Sequence, residues 1–415
     1  MITVSATPDR TLVRAAGGSV RHLHVRLVAP PRSGGSRPPV HLAFVIDRSG
    51  SMAGAPLELA KQATSDALAF LDERDRMAIV AFDDAVTTLV PPAPAGYAAV
   101  AAARERIRGL EPGGSTALAE GWLTGCAHIG GATGDAVARC LLLTDGHANV
   151  GETSPTALAH HAAELKRRGV RTTTFGLGAG FSEELLHAMS AAGGGNFYFI
   201  EHPAQIRDYF TSELGEALEI VSRDVALAVS GRGVKVDPLV AYTVEARATG
   251  AAIQIGDLCA DQVVDLVIAL RFGDGTIGDT STVALEVSAA GAPVARLEVA
   301  FRFAGHQDND RQARAVAVDR LVATAYAARA RYDAVRDNRE GRLDAAKLRL
   351  LRTAKKIAGY AGDDPELVAI KLALERDAEI YGRDLGELGR KRAHYGTTSS
   401  LKGRDESTGR ARRGD

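Results

Sequence analysis

The chain has 415 residues, enough for about two or three domains of ordinary size. Its 50 Lys+Arg nearly balance its 51 Asp+Glu, leaving a net charge of −1, which speaks against a chain built mainly to wrap nucleic acid or coat anionic lipid. With 46% hydrophobic and 24% charged residues it has the composition of a globular protein, and three scattered cysteines (Cys126, Cys140 and Cys259) supply neither a zinc framework nor a disulfide scaffold.

The first ten residues lack the basic start and apolar core of a signal peptide, and no apolar run approaches the ~18 residues of a membrane span. A cytoplasmic location is the expectation. Residues 1–39 read as strands. From Val20 to Val28, Val20, His22, His24 and Arg26 alternate with Leu23, Val25 and Leu27, the pattern of a half-buried strand. The Pro- and Gly-rich stretch 30–39 then reads as a linker or long loop.

Over residues 40–221 the texture changes. Short apolar runs at 40–46, 76–82, 86–90, 138–144, 170–176 and 196–200 alternate with helical patterns at 56–73, 96–109, 116–129, 156–168, 182–190 and 203–221. This alternation predicts an α/β unit: a mostly parallel, doubly wound sheet covered by helices. Residues 222–305 predict a β-sandwich, which the N-terminal strands are expected to join, with the α/β unit inserted between. Residues 306–391 read as helical. Ala313, Val316, Ala317, Arg320, Leu321 and Thr324 follow helical spacing, a second helix is predicted near 340–359, and a third after Asp363-Asp364-Pro365, where Asp caps and Pro fits the first turn. Residues 392–415 are polar and read as a disordered tail. Its Thr397-Thr398-Ser399-Ser400 run beside Arg390-Lys391-Arg392 is either a phosphorylation site or simply a soluble end.

The segment that carries chemistry is Asp47-Arg48-Ser49-Gly50-Ser51, placed where the first parallel strand ends. In open α/β sheets ligands bind at that rim. Alternate residues of the loop present one carboxylate and two hydroxyls. Thr116, in Gly113-Gly114-Ser115-Thr116, and Asp145, in Thr144-Asp145-Gly146, fall at the same rim. Two carboxylates and three hydroxyls form a hard oxygen set suited to Mg²⁺ or Mn²⁺, with room for a further oxygen. The alternative for Asp47, Ser49 and Ser51 is that they merely cap the first helix.

Asp47-x-Ser49-x-Ser51 with Thr116 and Asp145, in this order and at these strand ends, resembles the metal-ion-dependent adhesion site of von Willebrand factor type A domains over about residues 40–221. A lone D-x-S-x-S is commonplace; five positions in order are specific. The resemblance implies a Rossmann-like fold and a non-enzymatic module that captures an Asp or Glu of a partner protein through the ion. It also implies coupling of capture to a shift of the last helix, here 203–221. The wider layout is similar to proteins in which this domain precedes a β and helical region, as in inter-alpha-trypsin inhibitor heavy chains. Bacterial relatives suggest a MoxR-type AAA+ ATPase or a signalling protein as partner, and a scaffolding role in an intracellular complex.

The competing reading is a metal-dependent hydrolase or phosphotransferase on the same rim. Asp83, Asp84 and His147 are the nameable acid–base candidates, although Asp83 and Asp84 are either acids just outside the ligand set or, the better fit, a helix or turn cap, and His147 suits a place behind the ligands or in solvent better than ligation. Gly176-Leu177-Gly178 and Gly130–Gly134 lack the residues of dinucleotide and phosphate loops. Gly273-Asp274-Gly275 reads as a hairpin turn, and His160-His161, on different helix faces, as no metal pair.

Overall fold

The computed structural model describes residues 1–32, 34, 37–131 and 136–414. Ser33, Gly35 and Ser36 of the predicted linker, and Ala132–Gly134 of the Gly130–Gly134 loop, lie outside the described residues. The chain divides into two units. One holds Ser33–Ile220 with Ser407–Arg410, and the other holds Met1–Arg32, Val221–Glu406 and Ala411–Asp415.

Three strands open the chain: β1 (Thr3–Pro8), β2 (Leu12–Arg14) and β3 (Val20–Val28). The α/β unit follows with β4 (Val40–Asp47), α1 (Ala55–Ala67), β5 (Arg76–Phe82), β6 (Val86–Pro94), α2 (Tyr97–Arg108) and α3 (Leu118–Ile129). It is completed by β7 (Val137–Thr144), α4 (Pro155–Arg167), β8 (Val170–Leu177), α5 (Glu183–Gly193), β9 (Gly194–Ile200) and α6 (Ile206–Leu218). The strand order is β6-β5-β4-β7-β8-β9, parallel except for β6.

Sequence dictates this unit closely. Every residue of β7 and β8 is buried; β7 reads as a near-continuous apolar run covered on both faces, whereas β8 buries Arg171 and Thr172–Thr174 among its apolar residues. Each Leu, Val or Phe so buried contributes roughly 1.5–3 kcal/mol. The helix α3 approaches the sheet through two glycines one turn apart. A Cβ at Gly121 would come within 2.7 Å of the Phe82 ring, and one at Gly125 would collide with Val45. The helices α4 and α5 begin at Ser154 and Ser182, whose hydroxyls accept from the Ala157 and Leu185 amides. The helix α6 buries Glu213 completely. That carboxylate accepts from Arg139 Nη1 of β7 (2.5 Å), Thr173 Oγ1 of β8 (2.7 Å), and Asn196 Nδ2 and Tyr198 Oη of β9 (2.8 Å each).

Seven more strands follow: β10 (Ile220–Gly231), β11 (Val234–Pro238), β12 (Thr243–Arg247), β13 (Gly250–Cys259), β14 (Val263–Phe272), β15 (Thr280–Ala289) and β16 (Ala292–Ala304). They form two sheets, β1-β3-β14-β11 and β12-β13-β10-β15-β16-β2. One buried cluster draws on both, with Leu23, Val25 and Leu27 of β3 among Leu266, Ile268, Val225, Leu227 and Leu285. Gly273-Asp274-Gly275 is not a hairpin turn. It leads from β14 in one sheet to β15 in the other, because the Phe272 amide is already bonded to Ser19 and the strand partners lie elsewhere.

The helices are α7 (His306–Arg311), α8 (Val316–Arg339), α9 (Leu343–Ala361), α10 (Pro365–Tyr381) and α11 (Gly386–Leu401). Asp364 caps α10, accepting from the Leu367 amide at 3.0 Å, with Pro365 in the first turn. The predicted phase of α8 was off: Val318, Val322 and Ala325 are its buried face there, while Thr324 is exposed and Arg320 reaches out to Asp364 and Glu366. The predicted disordered tail is a second correction. Residues 392–401 form the latter part of α11, where Thr397 and Thr398 turn their hydroxyls back to the Ala393 and His394 carbonyls (2.7 and 3.0 Å). Thr397, Thr398 and Ser399 are buried on this helix, which removes them from kinase access, while Ser400 stays exposed.

Candidate metal-binding site

Strand β4 connects to β5 on one side and has β7 on the other, so the strand order reverses beside β4. The carboxyl ends of β4 and β7 therefore border a switch point, where open α/β sheets bind ligands. Asp47 is the last residue of β4, and Asp145 follows the last residue of β7.

Two loops are stitched together at this rim. The Gly113 amide donates to the Arg48 carbonyl (2.6 Å) and the Gly50 amide to the Gly114 carbonyl (3.0 Å). Glycine is required at position 113, where a Cβ would land on the buried Asp83 carboxylate; at Gly114 a Cβ would lie 2.6 Å from Oδ1 of the exposed Asp84 side chain, which can move aside. Asp83 is buried, pairs with Arg48 at 3.0 Å and accepts from the Ala85 amide at 2.9 Å. Burial alone would raise its pKa, but the Ala85 amide and Arg48 outweigh that and hold it below the usual carboxylate range. It is a turn residue that clamps the two loops. Thr116 is set by Asn149, whose Oδ1 accepts from the Thr116 amide at 2.8 Å.

Asp47 is fully buried. It accepts from the Ser49 amide (2.8 Å) through Oδ1 and from the Thr144 hydroxyl through Oδ2. Ser49 Oγ lies 3.2 Å from Ser51 Oγ, and the Ser51 hydroxyl donates to Asp145 Oδ1 at 2.7 Å. The convergence is visible from Gly146, where a Cβ would lie 3.3 Å from Thr116 Oγ1, 3.7 Å from Ser51 Oγ and 3.9 Å from Asp47 Oδ2. All five predicted residues thus gather at one place. They are not helix caps: neither α1 nor the short 3₁₀ turn at Gly50–Met52 receives a side-chain cap.

The electrostatics favour a cation. Burial pushes the Asp47 carboxyl up to about 6 despite the bonds from Ser49 and Thr144, with Asp145 adding to the rise. Burial raises Asp145 as well. Two carboxyls that resist ionisation side by side gain from a bound positive charge. The set is built of hydroxyls as much as of acids, and among the described residues no three His, Cys, Asp or Glu form a metal cluster. These donors fit a hard divalent ion. Ser51 is exposed and Asp145 half-buried, so one side of the site faces solvent. His147 and Asp84 are exposed. The sequence reading missed Thr144, Asn149 and Arg48, the residues that orient the donors. The first two lie within five positions of Asp145 and Arg48 inside the motif, but nothing in their residue type marks the role.

Residues 41–212 match the family model of the von Willebrand factor type A domain, and the chain carries such a domain there. Among curated proteins, an uncharacterized protein of Synechocystis is 29% identical over 275 residues, covering 63% of this chain and 64% of its own length. Human inter-alpha-trypsin inhibitor heavy chain H3 is 35% identical over 127 residues, 28% of this chain and 14% of the human one. The chain therefore spans less than two thirds of either relative. Among solved structures, a von Willebrand factor type A protein from Catenulispora acidiphila aligns with TM-score 0.71 at 20% identity, over 99% of this chain and 97% of its own. At that identity the likeness establishes the fold. Among the described residues no helix is long and apolar enough to cross a membrane.

Proposed function

We propose that this chain is a non-enzymatic protein-binding module in which Asp47, Ser49, Ser51, Thr116 and Asp145 hold Mg²⁺ or Mn²⁺ and a partner's Asp or Glu completes the shell. The observation that carries the reading is the convergence of these oxygens around Gly146, with Asp47 buried and Ser51 open to solvent. When bound, the cation supplies a positive centre able to accept a carboxylate oxygen. The chain's own residues fix that centre: the Ser49 amide and the Thr144 hydroxyl hold Asp47, and Asn149 holds the Thr116 loop. The hydrolase reading loses Asp83, which is engaged with Arg48 and backbone amides, and would have to rest on the exposed Asp84 or His147. A cytoplasmic scaffold working with a MoxR-type AAA+ ATPase or a signalling protein is the setting we favour.

Mn²⁺ titration followed by electron paramagnetic resonance tests the site, with wild type expected to bind one ion and Asp47→Ala none. Capture from native lysate in Mg²⁺ or EDTA then tests the function. A protein retained only by wild type in Mg²⁺ supports the reading. Equal capture by wild type and Asp47→Ala in both conditions refutes it.

A further inference from the structure

The unit built from the two β sheets and the C-terminal helices contains a cavity of about 520 Å³, within the size range of small-molecule sites. Its floor is the outer face of β3, β14 and β11, and its walls are α8 and α9. The lining is strongly one-signed. Arg10, Lys235, Arg271, Arg314 and Lys356 face it, against the single carboxylate of Asp237.

Two of these cations are already balanced. Arg10 Nε donates to Asp9 (3.3 Å), and Arg314 makes a two-pronged contact with Asp319 (2.6 and 2.7 Å) while stacking 4.7 Å over the Tyr360 ring. Asp237 is claimed by Arg329 at 3.3 Å. Among the described residues Lys235, Arg271 and Lys356 have no side-chain hydrogen bond or ion pair. Lys235 and Arg271 are moreover directly opposite each other in the β11–β14 register. Like charges at facing strand positions destabilise a sheet. Elsewhere on the same face the equivalent charges are paired, as Arg26 is with Asp265 at 2.8 Å. All three side chains are exposed, so water screens their repulsion, but they share one cavity with no carboxylate of their own, and that positive patch draws an anion.

We propose that this cavity binds a small organic diphosphate, its two phosphates on Lys235, Arg271 and Lys356. A terminal phosphate brings about −1.5 to −2 charge and the inner one about −1, so a diphosphate matches three free cations, whereas a single phosphate leaves them under-compensated. Val20, Val322, Ile357 and the half-buried Tyr326 line the remaining space and suit an organic body rather than bare phosphate. The site shares no residue with the cation site at β4 and β7.

Calorimetric titration of the full chain with ADP and with inorganic pyrophosphate, in EDTA, tests the assignment. EDTA keeps any ion at Asp47 from recruiting phosphate, and Asp47→Ala is the control. Saturable ADP binding is expected, competed by pyrophosphate, weakened by salt and unchanged in Asp47→Ala. Lys235→Gln and Arg271→Gln should each weaken it roughly tenfold. Each should also raise the melting temperature of the ligand-free chain, because a repulsive pair is relieved, while reducing the rise that ADP produces. Absence of saturable binding, binding undiminished in the Lys235→Gln/Arg271→Gln double variant, a lower ligand-free melting temperature in both single variants, or tighter binding of a doubly phosphorylated peptide than of ADP would each overturn the proposal.

Discussion

Replacing Glu213 by Ala removes the carboxylate on which α6 is anchored to three strands. Four donors converge on it from Arg139, Thr173, Asn196 and Tyr198, and both Glu213 and Arg139 are buried. Breaking a buried ion pair from one side costs about 3–5 kcal/mol, since the guanidinium stays desolvated and loses this carboxylate. For a unit of this size that corresponds to a fall in melting temperature of roughly 6–20 °C. Glu213→Gln keeps one acceptor oxygen but turns an amide donor toward donors, and is expected to lose about 2 kcal/mol. The assay is built in: Trp122, the chain's single tryptophan, is fully buried in α3 of the same unit, so its fluorescence reports urea or thermal unfolding there. Arg139→Met with Glu213→Leu should recover most of the loss, because a matched apolar pair replaces a buried ion pair at little cost. A loss below about 1 kcal/mol for Glu213→Ala, or no energetic coupling in the double-mutant cycle, would refute the reasoning.

Gly113→Ala drives a Cβ into the Asp83 carboxylate and should cost about 1–3 kcal/mol while lowering Mn²⁺ affinity, measured by titration, because the Thr116 loop moves with it. Asp265 has a pKa well below the usual carboxylate range. Burial raises it, but hydrogen bonds from His24 and Arg26 outweigh burial. A depressed folded pKa stabilises above the unfolded value of about 4 and is lost as pH falls through the folded value, so wild type should lose more stability than Asp265→Asn between pH 5 and pH 2 in urea melts. Asp364→Ala removes both the α10 cap and one of the two carboxylate partners of Arg320, and should lower stability by about 1 kcal/mol in the same assay.

The α/β unit was legible because parallel strands buried on both faces tend to be apolar runs, and β7 is nearly one. The five site residues were legible because they sit next to strand ends in a fixed order. The strands β11, β12 and β13 were not. Every residue of β12 is exposed, so no alternation marks it, and its place comes only from pairing with β13. The phase of α8 was ambiguous because its buried face is largely alanine, which carries little hydrophobic contrast. The end of α11 was misread because polar composition signals disorder only when the polar groups have no internal partners. The cationic cavity was invisible because its residues run from Arg10 to Tyr360 and meet only through strand register and helix packing.

The pairing of β3 with β14 sets a timetable for synthesis. Val28 pairs with Val263, so β3 waits while 235 residues (263 − 28) are made. At ribosomal speeds that is roughly 10–50 s. During this interval β1 and β3 form at most an isolated hairpin, marginal by itself, with Leu23, Val25 and Leu27 uncovered. All six strands of the α/β unit emerge within the same interval, so that unit can condense first and bring the two ends of its own segment to rest before β14 arrives. Until β14 is made, the apolar face of β3 has none of the cover that the finished fold gives it, and this is the stretch through which a nascent chain is open to aggregation.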